Sequence, residues 1–192
     1  MSAKTVATTR SAMNIPTGRL GVWWLLVSEI VIFGGLLVAY IMNRQAHSHD
    51  WAAQAAVTDW RIGAFNTFVL LSSSLSAVFA HQAAEKGDGK KAARLLYVTC
   101  LGGLIFLLVK SFEWATEISH GYTIMSHTFW SYYYTLAGLH AFHVIAGMAV
   151  MVWVARTAAK NQELHRVENV GIYWHFVDIV WIFLFPLLYI AK

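Results

Sequence analysis

The chain has 192 residues, with 14 Lys and Arg against 10 Asp and Glu for a net charge of +4, and it is 58% hydrophobic but only 12% charged. Soluble domains average about 25% charged residues, so this composition excludes an ordinary water-soluble globule. The basic excess sits in the tail and linkers, where it reads as membrane topology rather than nucleic-acid binding. One cysteine, Cys100, inside an apolar run, excludes an intrachain disulfide framework and a thiolate metal site.

Residues 1–19 are a polar tail, expected to be cytoplasmic and not a signal peptide, because the hydrophobic run after it is too long and lacks a small-residue cleavage site. Five stretches, about 20–42, 62–82, 94–113, 128–156 and 169–191, are each long enough to cross ~30 Å of hydrocarbon at about 1.5 Å per residue. The linkers are too short for a soluble domain and no internal repeat is visible. Residues 20–192 are therefore expected to form one all-α polytopic membrane domain, a bundle of five transmembrane helices.

The first span carries Glu29 in its middle, within Ser28-Glu29-Ile30-Val31. A carboxylate there, with no cation nearby in sequence, is expected to be hydrated or uncharged. A direct catalytic role is the weaker reading. The linker Asn43–Arg61 is polar, with His47, His49 and Asp50. The second span holds Asn66-Thr67 near one end and Ser72, Ser73, Ser74 and Ser76 near its middle. Those serines are expected to permit close helix packing and to bond their own backbone.

A charged, glycine-bearing turn, Glu85-Lys86-Gly87-Asp88-Gly89-Lys90-Lys91, leads into the third span. That span ends with Lys110 and Glu113, three residues apart, expected to form an interfacial ion pair of small worth with the lysine snorkelling outward. The linker Glu117–His127 has no Lys or Arg. The fourth span places Tyr133, Leu136, His140, His143 and Gly147 on one heptad-like stripe. The two histidines read as interhelical hydrogen-bonding residues, with metal or haem ligation as the weaker alternative.

The fifth span opens at Glu168 and contains Trp174-His175-Phe176-Val177-Asp178-Ile179-Val180-Trp181. Residues 174, 178 and 181 share a helix face, and His175 neighbours Asp178. Ionisable groups inside a membrane are costly and face protein or a wet cavity, so this segment reads as a buried polar seam. Glu168 and His175, seven residues apart, read as a bonded structural pair before a proton relay.

Lys and Arg are distributed unevenly between the two sides. The tail, second and fourth linkers hold Lys4, Arg10, Arg19, Lys86, Lys90, Lys91, Arg94, Arg156, Lys160 and Arg166; the other side holds only Arg44, Arg61 and Lys192. The bias places the N-terminus in the cytoplasm and the C-terminus outside, in the inner membrane of a bacterium.

A haem–copper centre needs about six histidines, yet only His140, His143 and His175 lie well inside the spans, with His81 at an edge. The chain is thus not expected to hold such a centre alone, although a single bis-histidine haem stays open on this count.

These residues carry a resemblance. Ser28-Glu29 with Phe33 and Tyr40, Asn66-Thr67 with Leu70-Leu71-Ser72-Ser73, Glu85-Lys86-Gly87-Asp88, and Glu113-Trp114 follow in order. Gly138-Leu139-His140-Ala141-Phe142-His143-Val144 and Glu168 with Tyr173-Trp174-His175-Phe176-Val177-Asp178 and Trp181 complete the series. Together, from Trp23 to Tyr189, they resemble subunit III of the haem–copper respiratory oxidases in its short five-span bacterial form. The resemblance implies no catalytic residue, no metal and no cofactor in this chain. It implies haem and copper in the partner subunits I and II, bound membrane phospholipids, and support of proton uptake and active-site stability. It assigns Glu29 as the family's buried acid, and His140, His143, Glu168, His175 and Asp178 as the interior polar network.

Two features depart from the longer relatives: two N-terminal helices are missing, and Ala141-Phe142 replaces the usual Gly-Leu. A cytochrome c oxidase is favoured over a quinol oxidase or a nitric oxide reductase system. A small bis-histidine membrane cytochrome and a proton or solute carrier are the readings from other classes; the absence of repeats and broken helices ranks the carrier lowest.

Overall fold

The computed structural model describes residues 17–191, so the tail read as residues 1–19 lies outside it apart from its last three residues, as does Lys192. The helices are α1 (Thr17–Ala46), α2 (Ser48–Ala55), α3 (Trp60–Glu85), α4 (Gly89–Ser119), α5 (Thr128–Ala158) and α6 (His165–Phe185). The last continues as a π-helical turn through Pro186–Ile190. No strand occurs among the described residues. Five helices, all but α2, are long and apolar enough to cross a membrane, as the hydropathy pattern predicts.

Helices α1, α3 and α4 overrun their predicted spans at both ends, α5 only at its C-terminal end and α6 only at its N-terminal end. The 31 residues of α4 extend ~46 Å against ~30 Å of hydrocarbon, so its ends stand in the headgroup layers. The linker Asn43–Arg61, read only as polar, contains α2. Its Trp51 is 1% exposed, meets Tyr40 and Phe129 edge-on at 5.3 and 5.8 Å, and donates Nε1–H to the Tyr40 hydroxyl at 3.2 Å. One anchoring tryptophan in eight residues leaves no periodic signal.

Helices α3, α4, α5 and α6 form a closed ring in which each packs on two neighbours, and α1 lies outside it against α5 and α6. Only 17% of the apolar window of α1 is buried, against 44% for α4, α5 and α6. Small residues set the spacing within the ring. A Cβ on Gly102 of α4 would fall 2.5 Å from the Ser73 Cβ of α3, which is the close backbone approach that small residues permit in membranes.

The turns are built from their own residues. Gly87 takes φ +76° between α3 and α4, and Asp88 caps α4 by accepting from Lys91 N at 3.0 Å. Gly89 N donates to Asn161 Oδ1 at 2.9 Å, and a Cβ there would lie 2.0 Å from the Ala158 carbonyl oxygen. The α3–α4 and α5–α6 turns are thereby locked together at one end of the bundle.

Candidate functional site

Glu29 faces inward from α1 and is 9% exposed. Its Oε2 stands 3.0 Å from Nε2 of His143 on α5, within ion-pair reach though off the line of a straight hydrogen bond. The other ring nitrogen, Nδ1, lies 2.8 Å from the Leu139 carbonyl. A carbonyl only accepts, so Nδ1 carries a hydrogen. Nε2 is then the ring nitrogen turned toward the Glu29 carboxylate. The carboxylate that looked unpartnered in sequence has its partner across a helix interface.

This pair opens on a cleft of about 480 Å³ between α1, α5 and α6, walled by Val22, Leu25, Phe142, Ala146 and Val150. Phe142, part of the Ala141-Phe142 departure from the family pattern, is 63% exposed and sits on the cleft wall. At the end where α6 begins, Arg166 lies 4.5 Å from the Trp153 ring and 2.6 Å from Glu163. The buried Oδ1 of Asn169 there has no hydrogen-bond partner among the described residues.

The seam on α6 meets α3. Trp174 Nε1 donates to Ser73 Oγ at 3.1 Å, Trp181 Nε1 to Thr67 Oγ1 at 3.0 Å, and His175 Nδ1 lies 2.5 Å from Ser74 Oγ. The serines of α3 therefore divide. Ser72 bonds its own backbone, Ser73 bonds its backbone and also accepts from Trp174, and Ser74 and Ser76 reach other helices. Asp178 is 3% exposed with Ser74 beside it, yet neither carboxylate oxygen makes a hydrogen bond of ordinary geometry.

The predicted set does not form one network. His140 is fully buried, edge-on to Phe106 at 5.3 Å and 5.1 Å from the Trp181 ring, and neither nitrogen has a hydrogen-bond partner. The stripe on α5 is buried as expected, but the interhelical hydrogen bond expected of His140 gives way to ring packing. Glu168 pairs with Arg19 at 3.1 Å, both side chains partly exposed. It does not bond His175, because seven residues separate them by ~10 Å along the axis and each has a nearer partner. Glu29 with His143, His175 with Asp178, His140, and Glu168 thus occupy four separate settings.

Lys110 and Glu113 require a correction. They are paired at 3.1 Å as expected, but with side chains 1% and 2% exposed they are enclosed by protein and the lysine does not snorkel outward. Lys110 Nζ also donates to the hydroxyls of Tyr133, at 2.9 Å, and Tyr189. Those hydroxyls donate onward to Glu113 Oε1 at 2.8 and 2.6 Å. All three ammonium hydrogens and both hydroxyl hydrogens have acceptors, so the group closes on itself across α4, α5 and the π-turn. Trp114 and Trp181 wall it in, with ring centroids 5.8 and 5.6 Å from Nζ.

Tyr189 and the tight role of Tyr133 were not legible as site features. The seven-residue spacing from Tyr133 to His140 marks one face of α5, but nothing along the chain links residue 189 to residue 110. Among the described residues no three of His, Cys, Asp and Glu are grouped to hold a metal ion.

The profile of the family described as Cytochrome c oxidase subunit III matches residues 3–192. The chain is 33% identical over 176 residues to a protein named cytochrome c oxidase subunit 3 from Thermostichus vulcanus, covering 89% of this chain and 86% of that one. It is 33% identical over 189 residues to the protein of that name from Corynebacterium diphtheriae, covering 95% and 92%. To that of Bacillus sp. strain PS3 it is 29% identical over 175 residues, covering 89% and 84%.

Proposed function

From the premise that this chain belongs to the cytochrome c oxidase subunit III family, we propose that it serves a proton-translocating cytochrome c oxidase as its non-catalytic third subunit. The family match carries this reading: it spans residues 3–192 and so includes every helix described above. Oxygen reduction takes place on the haem and copper of subunit I, with subunit II receiving electrons from cytochrome c. The complex sits in a bacterial inner membrane, with the N-terminus of this chain in the cytoplasm.

Glu29 and His143 support proton uptake into that partner. Their contact sets a carboxylate oxygen 3.0 Å from an imidazole nitrogen at the edge of the cleft, near enough for a proton to pass between them inside the membrane. Glu168 ties α6 to α1 through Arg19, His175 ties α6 to α3 through Ser74, and His140 packs between the rings of Phe106 and Trp181. The cleft takes a phospholipid. Its walls are apolar and one end offers Arg166 and the unpartnered Asn169 oxygen to a headgroup.

The reading is tested by tagging the chain, extracting it in mild detergent and identifying what accompanies it by mass spectrometry. A large histidine-rich haem–copper subunit and a companion with a dinuclear-copper cysteine motif are expected. Recovery of the chain alone would overturn the assignment, and a companion without that motif would replace cytochrome c by quinol. In the same preparation Glu29→Gln is expected to leave assembly intact and slow turnover about threefold, a barrier change of ~0.7 kcal/mol. Unchanged turnover removes the role given to Glu29.

A further inference from the structure

At the end of the bundle where α4 stops and α3 begins, a cavity of about 500 Å³ opens to the surface. Its walls include Val57, Ile62 and Phe112, and its titratable lining includes Asp59, Glu113, Glu117 and His120. Glu117 is only 8% exposed, and its carboxylate has neither a hydrogen bond nor a cation within 4.0 Å among the described residues. The nearby lysine, Lys110, already gives all three hydrogens to Glu113 and the two tyrosines. Asp59 accepts from Arg61 N at 2.9 Å with one oxygen and has the other free to face the cavity. The cavity therefore presents two carboxylates, Asp59 and Glu117, that have no ion-pair partner within 4.0 Å among the described residues, with the His120 imidazole beside them on the wall; a carboxylate as shielded from water as Glu117 gains from a cationic partner.

We propose that this vestibule receives the side chain of a lysine or arginine from a neighbouring subunit of the oxidase, an inference that rests on the assignment to such a complex. The shape and chemistry favour a basic side chain over other cations. The apolar walls suit its methylene stem, and the carboxylates suit its charged head. A metal ion is a poorer match, since no three ligands converge. An amine-bearing lipid would bring a phosphate toward the same carboxylates. Once seated, the basic head pairs with Glu117 in a partly desolvated pocket, and such pairs govern dissociation more than encounter.

The test uses the whole detergent-solubilised complex. Wild type, Glu117→Gln and Ile62→Lys are immobilised through a tag on this chain, and the haem–copper subunit retained is measured by its haem absorbance across a salt series. Glu117→Gln removes the charge at constant shape, and Ile62→Lys fills the vestibule with an amine of its own. Both are expected to lower the bound-to-free ratio about tenfold at the salt concentration where wild type is half retained. Glu85→Gln, an exposed carboxylate at the opposite end, is expected to match wild type. Retention of both vestibule variants at the wild-type level overturns the proposal. So does equal weakening by Glu85→Gln, or loss of an aminolipid from Glu117→Gln with subunit retention unchanged. Failure of wild type itself to retain a haem–copper subunit at low salt would instead overturn the assignment to an oxidase complex.

Discussion

The buried ion pair shows how a costly charge is tolerated at the level of single side chains. A buried pair is rarely worth more than an apolar replacement, but removing one member strands the other. Lys110 and Glu113 are held by two tyrosines that each accept from the lysine and donate to the carboxylate. Lys110→Met is therefore expected to cost about 3–5 kcal/mol, seen as a large fall in the melting temperature of the purified protein. The double variant Lys110→Met with Glu113→Leu is expected to recover much of that loss, because no charge is left unpaired. A double variant as unstable as the single would show that the two tyrosines, not the charges, dominate the cluster. The sequence displayed the pair at the right spacing but placed it at the interface. Enclosure depends on Tyr133 and Tyr189, which come from two other elements.

At the scale of the helices, contact is governed by where small residues meet. Gly102 lets α4 approach α3 at Ser73, where Ser76 and Thr99 also bond across the interface, and Trp174 of α6 bonds Ser73 from the other side of α3. Gly102→Val would drive its side chain into the Ser73 Cβ and push the two helices apart, and is expected to destabilise by about 1–3 kcal/mol. Gly35→Val on α1, with nothing within 4 Å of the added carbon, is the control and should change the melting temperature little. Equal effects from both would mean that helix propensity, not packing, decides. The end of α6 follows a related logic. Pro186 lacks the N–H that would continue the α-helix, and the chain turns with Ala191 N bonding the Pro186 carbonyl at 2.8 Å. Tyr189 then faces the lysine. From the sequence only the proline was visible; the register it imposes three residues later was not.

The whole molecule is asymmetric in two ways: a four-helix ring carries α1 on one flank, and the basic residues gather at one end. Single cysteines at Lys86 and at Met125, which is 93% exposed, introduced with Cys100→Ser, report the orientation. A membrane-impermeant maleimide on intact cells is expected to label Met125→Cys, and to label Lys86→Cys only after the cells are broken. The opposite pattern would invert the topology argued from lysine and arginine.

The amino-acid sequence by itself determined the number of spans, the positions of the charged turns, the buried stripe on α5 and the family. Each of these is a local property or an ordered series of local motifs. Span length and hydropathy are read residue by residue, because a bilayer requires every backbone group of a span to be satisfied within its own helix. The tertiary structure alone decided which polar groups meet. Glu29 found His143, Glu168 found Arg19, His140 found only rings, and Lys110 found a closed shell. Those partners lie on different helices, and their pairing is set by the rotation and depth of each helix in the ring. Rotation and depth arise from side-chain packing summed over whole interfaces, a quantity that spacing along one helix does not contain.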